Sequence, residues 1–221
     1  EAIAAEENLE LVWRDMPFDS LVGSMEAGDI QVIAAGIGPT KERERSVDFS
    51  DVYYTGSQSI ISRKGEPVED FGTLSGMKVA VLEGSQSDLI ASGETTDYGV
   101  VEHATVARFK NAASAVMELK NGGADAVLID TIMAEIYCRQ TDGIQSVAVS
   151  GTEEDTVFCI EKGNTGLCEQ INQGLAKVRS EGLYDELYAK YFAGDSGDGA
   201  EILKTAEDTG FIGKLKFIFL E

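Results

Sequence analysis

Positive charge, histidine, cysteine and proline are all scarce in this chain, and each shortage narrows what it can do. Lysine and arginine total 18 against 39 acidic residues, a net charge of −21, and no basic cluster occurs. A nucleic-acid partner needs a basic footprint, so the composition argues against one. The acidic residues are dispersed along the chain and read as a solvated surface. With His103 as the only histidine, a histidine-rich metal site or a histidine relay to a nucleophile has little to work with. His103 itself is expected to be structural or exposed. Three cysteines, Cys138, Cys159 and Cys168, are too few for a disulfide scaffold and lack the C-x-x-C spacing of zinc or redox sites. Buried free thiols are expected, with one bridge between two of them as the alternative outside the cell. No run of 18 apolar residues is present, and nothing reads as a signal peptide. The chain opens on Glu-Ala-Ile-Ala-Ala-Glu-Glu, the look of a helix tail. What remains is a chain 43% hydrophobic, with 24 Gly and 3 Pro among 221 residues. That suits an α/β globule of one large domain or two lobes.

The most informative stretch is Gly36-Ile37-Gly38-Pro39-Thr40-Lys41-Glu42-Arg43, placed directly after the apolar run Ile30–Ala35. The order is strand, flexible turn, a threonine suited to helix N-capping, then a cation in the first turn. A cation there opposes the helix dipole at a cost of roughly 0.3–1 kcal/mol unless an anion is bound. Backbone N–H groups, a hydroxyl and a guanidinium fork together make a carboxylate receptor. A solvated Arg43 paired with Glu42 or Asp48 is the alternative.

Elsewhere, strands and helices alternate. Leu9–Trp13 reads as a short strand, and Phe18, Leu21, Val22 and Met25 mark an amphipathic helix over 17–27 ended by Gly28. Val52–Ser62 reads as a long strand, Lys78–Leu82 as a strand, and Gly84–Asp88 as the turn into a helix. Gly99–Glu102 is expected as a strand, Val106–Asn121 as a long helix, and Ala124–Ile129 as a buried strand with Asp130 at its carboxyl end. Gln145–Val149 and Thr156–Ile160 are further strands, and Asn164–Phe192 is helical, with Leu167, Ile171, Leu175 and Val178 on one face. This alternation predicts mainly parallel sheets with ligands at the strands' carboxyl ends. Three polar turns fall at such ends: Thr40/Arg43, Ser85/Gln86 and Asp130.

With these segments in order, the chain resembles a type 2 periplasmic substrate-binding protein, of the amino-acid-binding family that serves ABC transporters. Asp15-Met16-Pro17-Phe18-Asp19, Gly36 through Arg43, Val47–Asp51, Tyr53-Tyr54, Val79–Val81 with Gly84-Ser85, Gly122 with Asp125–Val127 and Asp130, Glu161–Asn164, Gly182–Tyr184 and Tyr191-Phe192 carry the resemblance over residues 1–193. It implies a two-lobed α/β fold, each lobe a mainly parallel sheet flanked by helices, with two hinge crossovers. Lobe one would hold residues 1–62 and 154–193, and lobe two residues 66–150. It implies that Arg43 grips a ligand α-carboxylate, aided by Thr40 and the backbone around Gly36 and Gly38. Ser85 and Gln86 would contribute hydrogen bonds, and Asp130 would receive the α-ammonium group. Asp130 as a plain helix N-cap and Ser85 as a plain turn residue are the alternatives. Two departures stand out. Gly38 replaces the family's usual Ser or Thr, and the family's first strand, with its aromatic ligand platform, has no counterpart. Either upstream residues lie outside this numbering or another segment fills that slot. Phe18, Tyr53 and Tyr54 are substitute walls, or else core.

The expectation is therefore a hinge-closing extracytoplasmic receptor for a polar amino acid, with no cofactor or metal, partnered by ABC permease subunits and not by nucleic acid. The rivals are an enzyme on the same fold, cyclohexadienyl-dehydratase-like, with Glu83 or Glu102 as acid or base, and the sensing domain of a membrane receptor. Glu83, Gln86, Asp15 and Asp19 are candidate polar groups near the ligand, and the two aspartates lean toward a polar or cationic one. Residues 194–221 read as a linker followed by an amphipathic segment. Gly210–Leu220 combines aromatics, aliphatics and two lysines, and it resembles the stretch before the first membrane span of receptors fused to their own permease. Continuation past Glu221 into a membrane domain is expected on that ground. A packing helix, or a strand in the vacant sheet position, is the alternative.

Overall fold

A computed structural model of the protein describes residues 1–66, 68–95, 98 and 101–192, together with the backbone of a strand at Leu215–Phe219. In chain order the first elements are α1 (Ala2–Glu6), β1 (Val12–Met16), α2 (Leu21–Glu26), β2 (Val32–Ile37), β3 (Val47–Phe49), β4 (Tyr54–Gly56) and β5 (Gln58–Arg63). Then come β6 (Lys78–Leu82), α3 (Gln86–Ser92), β7 (Thr105–Phe109), α4 (Ala112–Lys120), β8 (Ala126–Asp130), α5 (Thr131–Gln140) and β9 (Ile144–Ala148). The last are β10 (Glu154–Glu161), α6 (Thr165–Ser180), α7 (Leu183–Phe192) and β11 (Leu215–Phe219). The chain divides into two units, Glu1–Tyr54 with Asp155–Glu221, and Thr55–Glu154. It thus leaves the first unit once and returns once.

Unit one is built on a sheet ordered β1-β11-β2-β10-β3, with β4 also paired to β10. Its recorded ladders β1–β11, β11–β2, β2–β10 and β10–β3 are all antiparallel. The expectation of a mainly parallel sheet is wrong for this unit. The reason is that β10 returns from unit two, and β11 comes from the far end of the chain; both run against β1, β2 and β3. The strand β11 lies between β1 and β2, pairing Met16 with Leu215 and Ile33 with Phe217. The vacant sheet position is therefore filled by a late segment, which completes ladders that would otherwise stand open. Residues 193–214, 220 and 221, on which the linker and most of the amphipathic segment fall, lie outside the described residues.

Val32, Ile160, Leu167 and Ile171 form a buried cluster joined by Leu9, Phe158 and Cys168, so the apolar face of α6 packs on the sheet as its spacing implied. Gly174 is needed where α1 crosses α6: a Cβ there would lie 2.8 Å from Ile3 Cγ2 and 3.2 Å from the Ile3 carbonyl. Lys177 Nζ also meets Glu7 Oε1 at 2.6 Å across these helices.

Unit two has the sheet order β7-β6-β8-β5-β9. The β7–β6–β8 part is parallel and β5 is antiparallel to both its neighbours, so this sheet is mixed. The strand β5 belongs here by its pairing with β8 and β9. The boundary consequently falls at Tyr54/Thr55, and residues 55–62 do not belong to unit one as expected. The long strand expected over 52–62 is broken into β4 and β5. The core joins Ile60, Leu74, Val79, Val81, Ile90 and Leu128 from the strands and their covering segments.

One larger correction concerns residues 106–121. Val106, Phe109 and Val116 suit a helical period, yet Thr105–Phe109 pairs residue by residue with Lys78–Leu82 as a parallel strand. Pairing with a neighbour overrides propensity in such a short run. The helix starts only after Asn111, whose side chain caps α4 by accepting from Ser114 N at 2.8 Å. Val101 and Glu102, the described residues of the strand expected at 99–102, are not in a strand.

Candidate functional site

The site residues named from sequence fall into two groups, one in each unit. In unit one, Gly36, next to last in β2, has φ +60°, a conformation that glycine adopts freely. The helix expected after Thr40 is a single 3-10 turn, Arg43–Arg45. Three residues carry no useful macrodipole, so the dipole argument for an anion at Arg43 falls. What holds Arg43 is local chemistry. Its backbone N–H donates to Thr40 Oγ1 at 3.1 Å, and its Nη1 donates to the Gly38 carbonyl at 2.7 Å. Its guanidinium carbon sits 5.6 Å above the ring of Phe18, within cation–π range. Phe18 is buried at the start of a 3-10 turn, Phe18–Ser20, that leads into α2. Arg43, Thr40, Gly38 and Phe18 are thus brought together, with the guanidinium half-buried. At Gly38, the missing side chain matters less than its carbonyl, which anchors the arginine.

The aromatic alternatives are used elsewhere in unit one. Tyr53 stacks on Phe158 at 4.5 Å and accepts the Tyr184 hydroxyl at its carbonyl, 2.6 Å away. Tyr54 lies 6.4 Å from Tyr188. Asp15 and Asp19 are exposed. Cys159 is buried, and burial pushes its thiol up to about 12, with Arg43 opposing the shift. Cys138 and Cys168 are half-buried, and all three thiols are free, so burial holds for only one of them and no bridge forms.

In unit two, Ser85 is the N-cap of α3, its Oγ accepting from Asp88 N at 3.3 Å. Asp88 is itself tied down, its Oδ2 accepting from Gly84 N at 3.0 Å and from Arg108 Nε at 2.9 Å. Gln86, the first residue of α3, is half-buried. Asp130 ends β8, and its side chain makes no capping bond to α5, so the plain N-cap reading fails. Its half-buried carboxyl instead lies beside Gln58, whose Nε2 donates to Asp130 Oδ1 at 3.0 Å and to Glu154 Oε1 at 2.7 Å. Burial pushes the Asp130 carboxyl above its ordinary range, while hydrogen bonds from Glu154 and Gln58 pull the other way. Gln58 is 1% exposed, and its remaining polar groups are satisfied too. Its Oε1 accepts from Ser87 Oγ at 2.6 Å, and its N–H donates to Thr152 Oγ1 at 2.9 Å.

Gln58, Ser87 and Glu154 were not foreseen as site residues. The signal available for Gln58 was an amide inside a strand of otherwise apolar and serine residues, where a buried polar group must find partners. Glu154 had no local signal, because it reaches Asp130 only through the return of β10. Glu83 and Glu102, the acid–base candidates of the enzymatic reading, lie apart from this network. Glu83 pairs with Lys110 at 2.8 Å and Glu102 is exposed in a turn. Among the described residues no cluster suited to a metal ion occurs, and no helix is long and apolar enough to cross a membrane.

Two α/β units linked by two crossovers carry these residues, a guanidinium in one and a half-buried carboxyl in the other. The chain belongs to the bacterial extracellular solute-binding proteins, family 3, whose model matches residues 1–194. It is 32% identical over 204 residues to a probable histidine-binding protein of Neisseria gonorrhoeae, covering 90% of this chain and 75% of that one. An L-arginine-binding protein of Pseudomonas aeruginosa is 30% identical over 203 residues, 88% of this chain and 77% of that one. Among solved structures, the substrate-binding protein of an amino acid ABC transporter superposes with a TM-score of 0.80 at 27% identity, covering 87% of this chain and 84% of that one. An ancestral arginine-binding protein bound to arginine gives 0.79 at 34% identity, covering 86% and 84%. These relatives are binding proteins and not enzymes. The family is extracellular, which places this chain outside the cytoplasm as a non-enzymatic receptor.

Proposed function

We propose that the protein binds a polar α-amino acid and hands it to an ABC transporter permease. Arg43, with Thr40 and the backbone at Gly36 and Gly38, takes the α-carboxylate, Phe18 backs the guanidinium, and Asp130 takes the α-ammonium. Ser85 and Gln86 add hydrogen bonds from unit two. A zwitterion needs one donor fork and one carboxylate, and a single ligand engaging both sets would favour the state in which both are met. The observation that carries the reading is the family match over residues 1–194, with relatives named for histidine and arginine binding. Membrane tethering, with a permease in the same natural chain, is part of the proposal. Its support is the sequence mixture of aromatics, aliphatics and lysines in residues 210–220, of which Leu215–Phe219 pair in the sheet between β1 and β2.

Calorimetry and thermal shift across a panel of amino acids test the receptor role. Micromolar binding of at least one polar amino acid is expected, and silence across the panel would end the reading. Asp130→Asn should weaken α-amino acids far more than their des-amino analogues; equal losses would reject the ammonium role. Sequencing the parent gene downstream of codon 221 checks the tether: about 20 consecutive apolar residues support it, and a stop codon there refutes it.

A further inference from the structure

The chain leaves unit one after Tyr54 and re-enters it at Asp155, and side chains of α6 and α7 hold the stretch just before the exit. Asp51 N donates to Asn172 Oδ1 at 2.8 Å. Arg179 Nη2 donates to the carbonyls of Val52 and Tyr53 at 3.0 and 3.1 Å. The Tyr184 hydroxyl donates to the same Tyr53 carbonyl at 2.6 Å. Arg179 also lies 5.1 Å above the Tyr184 ring, within cation–π range, so the two donors brace each other. Asp51 and Val52 are exposed, so burial does not fix their backbone; these three side chains do.

The returning strand is fastened to the same stretch. Tyr53 N donates to the Thr156 carbonyl at 3.0 Å, Phe158 N donates to Ser50 Oγ at 2.9 Å, and the Tyr53 and Phe158 rings stack at 4.5 Å. Unit two secures its own ends separately. Ser57 meets Thr131 twice, carbonyl to N–H and hydroxyl to hydroxyl, each at 2.8 Å. Gln58 N donates to Thr152 Oγ1 at 2.9 Å, and Thr152 Oγ1 donates in turn to the Val149 carbonyl at 2.6 Å. These fastenings of unit one thus reach Tyr53 and Thr156, and those of unit two begin at Ser57 and Thr152. Residues 54–56 and 153–155 lie between the two sets.

We propose that Asn172, Arg179 and Tyr184 are positioning residues that clamp the outgoing crossover, so that the conformational change on solute binding is confined to residues 54–56 and 153–155. Hinges are typically a few element-terminal residues that absorb a change in φ and ψ. None of the three clamping residues belongs to the proposed ligand set. Without the clamp, residues 51–53 gain conformations that a bound, ordered state must give up. Fixing the backbone of a single residue is enough to weaken binding about ten-fold. The clamp in the empty protein stands on unit one alone; its effect on affinity rests on the amino-acid receptor reading.

Hydrogen exchange and urea unfolding of the ligand-free protein test the clamp. In Arg179→Ala and in Tyr184→Phe, the amides of residues 51–56 should exchange about ten-fold faster. Exchange in β2 and β8, and the unfolding midpoint, should stay close to wild type. Arg179→Lys should recover part of the protection, since its ammonium still donates but lacks the fork. Unchanged exchange at 51–56, or an equal rise throughout unit one, would overturn the clamp. Calorimetry with arginine, or whichever panel amino acid binds, tests the positioning role. The double variant Arg179→Ala with Tyr184→Phe should bind about ten-fold more weakly. Wild-type affinity alongside raised local exchange would overturn that role and leave the three residues purely structural. Raised local exchange in a protein that binds no panel amino acid would overturn the receptor reading, and the effect on affinity with it, while the clamp itself stands.

Discussion

The two sets of candidate site residues, one in each unit, are held by opposite means. In unit two, Asp130 is locked by a buried amide that also contacts Glu154 and Ser87, so its position is coupled to β5, β10 and α3 at once. In unit one, Arg43 sits half-buried on a single 3-10 turn, with the Gly38 carbonyl, the Thr40 hydroxyl and the Phe18 ring among its contacts. A residue fixed by a buried network cannot be altered without a stability cost, because each orphaned partner loses its hydrogen bond. A residue on a turn can be altered for its chemistry alone. The proposed carboxylate-binding residues should therefore separate binding from folding, and the proposed ammonium-binding residue should not.

The sharpest way to break that contrast is at Arg43. Arg43→Ala should weaken amino-acid binding by about 2–5 kcal/mol, the usual loss on truncating one member of a desolvated charge pair, with little change in urea unfolding. Arg43→Lys should bind poorly as well, since an ammonium cannot reproduce the planar fork. Wild-type affinity in either variant would return Arg43 to a structural role.

The matching change in unit two is Gln58→Ala. It strands Ser87 and two carboxyl groups at one site, so about 2–4 kcal/mol of stability should be lost. Equilibrium unfolding reads this directly. A variant as stable as wild type would show that the network is not coupled as its geometry implies.

This contrast also explains what could be read from the sequence. Arg43, Thr40, Ser85 and Asp130 were legible because each sits at a strand end beside a turn, where short-range patterns carry meaning. The apolar face of α6 was legible for a similar reason, its period being continuous over four turns. Gln58 and Glu154 were not, since they meet only after β5 and β10 have crossed between the units, 96 residues apart. The strand at 105–109 was hidden because its pairing partner lies at 78–82, outside any local window. The antiparallel sense of unit one was hidden likewise: it is set by where β10 and β11 arrive from, which a strand's own residues do not record.

A third prediction keeps to packing and asks whether unit one is as tolerant as its turn-borne arginine suggests. At Gly174 a methyl group would meet Ile3 Cγ2 at 2.8 Å and Glu7 Cγ at 3.0 Å. Gly174→Ala gains helix propensity but forces α1 away from α6, for a net loss of about 1–3 kcal/mol. Unfolding midpoints, with hydrogen exchange in residues 2–6 as a local readout, would measure it. A stabilised variant would mean that α1 yields freely.

The smallest effect is expected at the Asp48 turn of unit one, where an exposed charge network offers the mildest counterpart to the buried one. Asp48 Oδ1 meets Lys162 Nζ at 2.7 Å, and its Oδ2 accepts from Gly163 N at 2.7 Å. The Lys162 contact first, then the backbone amide, favour the charged form and hold the Asp48 carboxyl below its ordinary range. The folded protein therefore binds this proton less readily than the unfolded chain. The resulting stability is complete above the unfolded carboxylate value and is lost as pH falls through the folded one. Lys162 remains half exposed, and solvent screening keeps such a pair weak. Asp48→Asn should accordingly lower Tm at pH 7 by only about 1–2 °C, and that gap should close as the pH is taken down to about 3. A gap that persists undiminished at low pH would assign the stabilisation to the shape of the turn and not to its charge.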